Sequence, residues 1–229
     1  MERTANICIG LLGLFLTLQI LLRVVRRRYK FPIPHFLLGL IDNPIRHWLM
    51  PPYETAVRMG VMPGMRVLEI GPGKGTYTLG VAERVGPGGS VYTVDIVPEV
   101  IKQLQKRIRM QAVGNIDARV ATVYDLPFPD GEFDLVYMIA VIGEIPQPLP
   151  ALRELHRLIK PSGLLVMSEL FVDPDYSTSK RLLELAGRAG FELKEQQGNF
   201  FYYTLLLQKQ DKNRLRKGVP DRNGTSNCS

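Results

Sequence analysis

At 229 residues, 45% hydrophobic and 22% charged, the chain has the composition of an ordinary globular protein and the length for one well-buried domain with extensions. Its net charge of +7 sits in the ends: residues 1–30 hold six Lys/Arg against Glu2, residues 211–229 hold five against two Asp, and the stretch between is left at −1. That centre gives no support to a nucleic-acid face, and two cysteines near opposite ends, Cys8 and Cys228, argue against a disulfide framework and fit a reducing compartment.

Residues 7–22 run without a charge, and with Val24 and Val25 the apolar stretch approaches the roughly 20 residues that span a bilayer core. The basic cluster Arg23, Arg26, Arg27, Arg28 and Lys30 follows this run, whereas a secretory signal places its charges before it. Residues 1–30 therefore predict an uncleaved membrane anchor, single-pass or monotopic, with the rest of the chain cytoplasmic by the positive-inside bias; a buried core helix is the alternative. Residues 31–41 form a second apolar stretch, broken by Pro32 and Pro34. With Trp48 and Tyr53, whose amphipathic rings suit either headgroups or packing on a domain, they predict an interfacial or lid segment over residues 31–58.

From residue 65 strands and helices alternate, the pattern of a parallel sheet covered on both faces. Strands are expected at 65–70, 90–96, 116–123, 133–139 and 164–170. A helix opens at Pro98 with Val100, Ile101, Leu104 and Ile108 on one face, and a second carries Leu152, Leu155, Leu158 and Ile159 up to Lys160-Pro161-Ser162-Gly163. A helix over 180–189 then stops at Gly190, and strands at 191–197 and 200–208 are joined by Gly198-Asn199, a hairpin signal. The expected domain is 59–210, with 211–229 a disordered basic tail. Asn223-Gly224-Thr225 and Asn227-Cys228-Ser229 match glycosylation acceptors that a cytoplasmic tail would leave unmodified.

The chemistry concentrates after the first strand, in Glu69-Ile70-Gly71-Pro72-Gly73-Lys74-Gly75-Thr76. Alternate glycines let a backbone turn sharply and approach a ligand at the entry to a helix. The dinucleotide fingerprint needs its third glycine where Thr76 stands, and a P-loop needs Ser or Thr after its lysine where Gly75 stands. Asp95 ends the second strand 20 residues beyond Gly75, where a carboxylate can accept both hydroxyls of a ribose. Asp125 follows the third strand; it either caps a turn or accepts from an adenine amine. With His35, His47 and His156 the only histidines and no ligand spacing among them, no metal is expected.

These pieces, with Asp125-Leu126-Pro127-Phe128, Phe133-Asp134-Leu135-Val136, the stretch 155–163 and the closing hairpin, resemble class I S-adenosylmethionine-dependent methyltransferases over approximately residues 50–208. The resemblance implies an α/β fold with a Rossmann-like seven-stranded sheet, order 3-2-1-4-5-7-6, last strand antiparallel, with helices on both faces, beside the N-terminal membrane-anchor helix. It implies S-adenosyl-L-methionine as cofactor: Glu69, Gly71, Pro72, Gly73 and Gly75 at the methionine portion, Asp95 at the ribose, Ile96 on one adenine face, Tyr124 with Asp125 at the adenine edge, and Ile139 beside them. Two family patterns are absent. The stretch 138–146 lacks the histidine often found in members acting on quinones, and no Asn-Pro-Pro-Tyr-like amino-methylating motif stands there.

Methyl transfer from a sulfonium is an in-line displacement that rests on alignment, so a base is needed only where the acceptor must lose a proton. Glu144, just after the fourth strand, is a candidate base or headgroup holder as well as an ordinary helix-entry acid. His47 and Tyr53 are weaker candidates in the lid segment. An anchored enzyme meets lipophilic acceptors at high effective concentration. The expected function is thus methyl transfer at the membrane surface to a lipid or lipophilic small molecule, of phospholipid-amine or quinone type. A thiol or other small-molecule methyltransferase, a non-catalytic binding protein of this fold and a methylase of membrane-proximal protein side chains are the alternatives.

Overall fold

The computed structural model describes residues 50–210 together with Gly10, Gly13, Thr17, Leu21, residues 23–26 and Tyr29. Successive side chains of a strand point to opposite faces, so a continuously apolar strand must be covered on both sides. β1 (Arg66–Ile70) shows the consequence. Val67 packs in one layer with Ala56 of α1 (Pro52–Arg58), Met59 just after it, and Val81 and Val85 of α2 (Thr76–Val85). Leu68 faces the other layer, with Leu152 and Leu155 of α4 (Pro148–Leu158) and Leu182 and Ala186 of α5 (Ser179–Arg188). The same alternation runs through β4 (Phe133–Ile139), where Leu135 and Tyr137 share the first layer and Val136 and Met138 the second. Prolines in the first turns of α1, α3 (Pro98–Met110) and α4 start helices where a missing N–H costs nothing.

The remaining strands are β2 (Ser90–Asp95), β3 (Ile116–Val120), β5 (Ile159–Leu170), β6 (Phe191–Gly198) and β7 (Tyr202–Lys209). Their order is β3-β2-β1-β4-β5-β7-β6, with β7 antiparallel to both β5 and β6, as the family resemblance implies. β5 begins earlier than expected. It pairs Ile159 with Phe133, and the Lys160-to-Gly163 stretch is taken up as an irregularity before Leu164 meets Leu135, which places Pro161 where it owes no ladder bond. At the hairpin, the Asn199 side chain accepts from the backbone N–H of Phe201 at 2.9 Å.

β1 pairs in parallel with β2 on one side and β4 on the other. The chain leaves β1 into α2 on one face and leaves β4 toward α4 on the other, so a crevice opens at the C-terminal ends of these strands.

The expected membrane localisation is overturned: among the described residues no helix is long and apolar enough to cross a membrane. The described part of the basic flank meets protein. Arg26 is 6% exposed, donates to the Asp175 carboxylate and reaches Glu144 at 3.7 Å, while Arg23 donates to the Phe171 carbonyl with its guanidinium 4.5 Å over the Phe171 ring. These cations thus have acids and an aromatic ring of the domain as partners. Residues 31–49, with His47 and Trp48, and residues 211–229, with both glycosylation tripeptides, lie outside the described residues.

Candidate functional site

The crevice holds a cavity of about 280 Å³. Its floor is the turn from β1 into α2. Gly71, Gly73 and Gly75 all have positive φ, at 72°, 54° and 78°, where side-chain-bearing residues are strained. Space is the second constraint: a Cβ on Gly71 would stand 2.6 Å from Val141 Cγ2, and one on Gly75 would collide with Leu104. The turn therefore presents bare backbone to the cavity. α2 then opens at Thr76 with no side-chain cap and no acid in its first turn, so no acid of its own offsets its positive end.

Glu69 stands at the end of β1, 3% exposed, and lines the cavity. The Thr78 hydroxyl donates to its Oε2, while the hydroxyls of Thr93 and Tyr137 lie beside the carboxyl without closing a geometrically complete bond. Burial pushes its pKa up to about 7 against the hydrogen bond from Thr78, with Asp95 adding repulsion. Asp95 ends β2 and lines the same cavity; its Oδ1 accepts from the Val97 N–H at 2.9 Å, and burial raises its pKa against the bonds from Val97 and Ile96. A carboxylate so placed keeps lone pairs for a ligand hydroxyl.

The opposite rim is the segment after β3. Tyr124 lines the cavity, and its hydroxyl accepts from the Gln147 N–H at 3.1 Å, joining this rim to the start of α4. Glu154 and Arg157 of α4 hold the next residues: Glu154 Oε1 accepts from the Leu126 N–H at 2.9 Å, and Arg157 donates to the carbonyls of Leu126 and Phe128. The wall between is apolar, with Ile139, Val141, Ile145 and Pro146. Ala140 takes φ 56° there, a left-handed conformation uncommon for alanine, which turns the chain out of β4 so that Val141 closes over Gly71.

Of the residues singled out in the sequence, Glu69, Gly71, Pro72, Gly73, Asp95, Ile96, Tyr124 and Ile139 come together on this cavity. Gly75 and Asp125 are not among its lining: Gly75 is the residue before α2, and Asp125 is exposed on the turn after β3, where its N–H donates to the Thr122 carbonyl at 3.4 Å. Glu144 lines the cavity and is paired with Arg26. Tyr53 belongs to α1, away from the cavity, with Arg84 Nη1 3.4 Å from its hydroxyl; a residue of the predicted lid is thus placed over a shallow groove between α1 and α2. Asp173 also lines the cavity, and sequence reasoning missed it because nothing local marks an acid after β5 as facing the end of β4. Among the described residues no group of His, Cys, Asp and Glu could hold a metal ion.

Residues 68–167 match the family model described as Methyltransferase domain. The chain is 33% identical over 112 residues to the demethylmenaquinone methyltransferase of Geobacillus kaustophilus, covering 49% of this chain and 48% of that protein. It is 30% identical over 141 residues to the ubiquinone/menaquinone biosynthesis C-methyltransferase of Shewanella sediminis, covering 61% and 55%. It thus spans about half the length of the curated relatives it matches. Among solved structures, a SAM-dependent methyltransferase from Aquifex aeolicus superposes with a TM-score of 0.72 at 22% identity, over 77% of this chain and 98% of that one, a likeness of fold.

Proposed function

We propose, from the premise that residues 68–167 form a class I S-adenosylmethionine-dependent methyltransferase domain, that this protein transfers a methyl group to a lipophilic small-molecule acceptor, a quinone-type ring first among them. One observation carries the reading: a bare-backbone glycine turn and the Asp95 carboxylate open into the same cavity as the apolar wall of Ile139, Val141, Ile145 and Pro146. The first two suit a nucleoside with a charged tail, and the wall suits a greasy acceptor. The names of the similar Geobacillus and Shewanella proteins, both quinone-pathway methyltransferases, point the same way.

The residues present fit S-adenosylmethionine. The uncapped start of α2 would meet its carboxylate, Asp95 its ribose hydroxyls, and Ile96 and Tyr124 its adenine. When bound, that cofactor supplies a methyl group whose bonding pair stays on sulfur. The chain's own work is alignment and exclusion of water. Val141, held against Gly71 by the turn at Ala140, fixes the depth at which an acceptor can sit. A ring carbon that takes a methyl must lose a proton afterward, and Glu144 is the carboxylate on the cavity beside the end of β4 that would receive it.

The test is transfer of radiolabelled methyl from S-adenosylmethionine to a demethylated quinol, run beside a small thiol and a phosphatidylethanolamine dispersion. Label in the quinol is expected. Label in the thiol alone would replace the quinone reading by small-thiol methylation, and binding of the cofactor with no label anywhere would leave a binding protein of this fold.

A further inference from the structure

One helix, α3, runs from Asp95 to the glycine turn. At its start Val97, the residue before the helix, donates its N–H to Asp95 Oδ1 at 2.9 Å. Midway Leu104, buried, occupies the space that a Cβ on Gly75 would need. In the last turn Arg107 reaches back 33 positions along the chain: its Nη1 donates to the Lys74 carbonyl at 2.8 Å and to the Thr76 hydroxyl at 3.4 Å. Ile101, Leu104 and Ile108 pack with Ala118 of β3, so the helix that carries Arg107 is itself seated on the sheet.

The turn needs such a hold. Glycine takes either sign of φ at little penalty, so nothing in Gly73 or Gly75 themselves keeps them at 54° and 78°. Rotation of the Lys74–Gly75 peptide about its flanking bonds would redirect the backbone groups of the turn. Both sides of that peptide are tied: the Gly75 N–H donates to the Pro72 carbonyl at 2.9 Å, and the Lys74 carbonyl accepts from Arg107. The last turn of α3 carries Arg109 as well, and either charge suits the C-terminal end of a helix. A cation beside the positive end of α2 is, however, unfavourable to α2, so helix electrostatics do not account for the direction that Arg107 takes.

Resting on the reading above that the start of α2 meets the cofactor's carboxylate, we propose that Arg107 is a positioning residue: by holding the Lys74 carbonyl it fixes the glycine turn in the form that receives the amino-acid portion of S-adenosylmethionine. Arg107 lines the groove between α1 and α2 and is not among the residues lining the cavity, so it acts through the turn and not by touching the cofactor. A turn already in its binding form loses little freedom when the ligand enters, and the affinity gained is confined to the part of the ligand that the turn meets. The ribose and adenine, placed on Asp95, Ile96 and Tyr124, draw nothing from it.

The experiment uses the full chain and two probes, S-adenosylhomocysteine and methylthioadenosine, which keeps the nucleoside and lacks the amino-acid portion. Calorimetry measures the ratio of their affinities in wild type, Arg107→Gln, Arg107→Lys and Arg109→Gln. Wild type should favour S-adenosylhomocysteine. Arg107→Gln should lower that preference by about tenfold while leaving methylthioadenosine within about twofold. Arg107→Lys keeps the charge without the fork of donors and should fall between, and Arg109→Gln, which removes a charge from the same helix turn, should match wild type. Equal weakening of both probes in Arg107→Gln would overturn the proposal and leave a general structural brace; an unchanged ratio there would overturn it outright. A ratio in Arg107→Lys equal to that of wild type would overturn it as well, by reducing Arg107 to a charge, and this outcome decides alone should Arg107→Gln fail to fold. A wild type that binds both probes equally would instead remove the reading that the turn holds the amino-acid portion, and the proposal with it.

Discussion

The Thr78 hydroxyl in the first turn of α2 donates to the Glu69 carboxyl at the end of β1, bridging the glycine turn from below. The helix and strand that the turn connects are thereby tied to each other by a group that is itself buried.

That burial makes stability pH-dependent. Glu69 titrates near 7 and Glu169 near 8 in the folded protein, both against an ordinary value of 4.5. The folded chain holds more protons than the unfolded one between these values. Stability from both groups is therefore fully present below the unfolded value and is lost as pH rises through the folded ones, at up to about 1.4 kcal/mol per pH unit for each group. Glu154, held below its ordinary range by the hydrogen bond from Arg157, acts in the opposite sense only at lower pH. Thermal unfolding of wild type and Glu69→Gln from about pH 5 to pH 8 should show a shallower decline in the variant. Parallel curves would mean Glu69 is ionised across that range.

Tyr137 and Thr78 should behave differently although both face Glu69. The Tyr137 hydroxyl is buried without a complete hydrogen bond, so Tyr137→Phe removes a desolvated polar group and should leave stability within about 1 kcal/mol of wild type. Thr78→Val removes the donor that stabilises the carboxylate and should cost about 1–3 kcal/mol at neutral pH, with less loss in acid, where Glu69 is protonated. Chemical denaturation at two pH values separates them, and a Tyr137→Phe loss as large as that of Thr78→Val would show that the phenol bond is made.

The strand order followed only from the family resemblance; the turn, the place of Asp95 and the strands themselves were legible in the sequence because each depends on local rules: glycine where φ is positive, 20 residues from loop to acid, period-two burial and a hairpin signal. The partners of Arg26 were not. Asp175 lies 149 positions away, and a cluster of arginines after an apolar run has one composition whether it meets lipid phosphates or carboxylates. Asp125 stands outside the lining for a related reason: its spacing after β3 suits a ligand, but the turn whose N–H donates to the Thr122 carbonyl presents the neighbouring Tyr124 to the cavity. The rim's support by Glu154 and Arg157 was equally hidden, since a charged pair on a helix usually belongs to a solvated face.

Gly71→Ala combines two costs that a second mutation can divide. At φ 72° an alanine is strained by about 1–2 kcal/mol, and its methyl would also stand 2.6 Å from Val141 Cγ2. Val141→Ala should relieve the collision and leave the strain, so the double variant should recover part of the affinity for S-adenosylhomocysteine lost by Gly71→Ala. Full recovery would assign the whole effect to crowding; none would assign it to backbone conformation.

Asp95 offers the most direct check on the donor half of the cavity. Its carboxylate already accepts from the Val97 N–H through Oδ1, so what it has left for a ligand is the remaining lone-pair capacity, enough for a ribose diol but shared with the start of α3. Asp95→Ala should therefore weaken S-adenosylhomocysteine by about one to a few kcal/mol, roughly fivefold to several hundredfold in calorimetric Kd. Asp95→Asn, which keeps one carbonyl oxygen for the Val97 N–H, should fall between. Asp125→Ala is the matching control: Asp125 is exposed and outside the cavity lining, so its loss should change affinity by less than about 0.5 kcal/mol. Equal losses at the two positions would mean that the turn after β3 closes onto the ligand when it binds, bringing Asp125 to the adenine edge, and an unchanged affinity in Asp95→Ala would remove the ribose assignment.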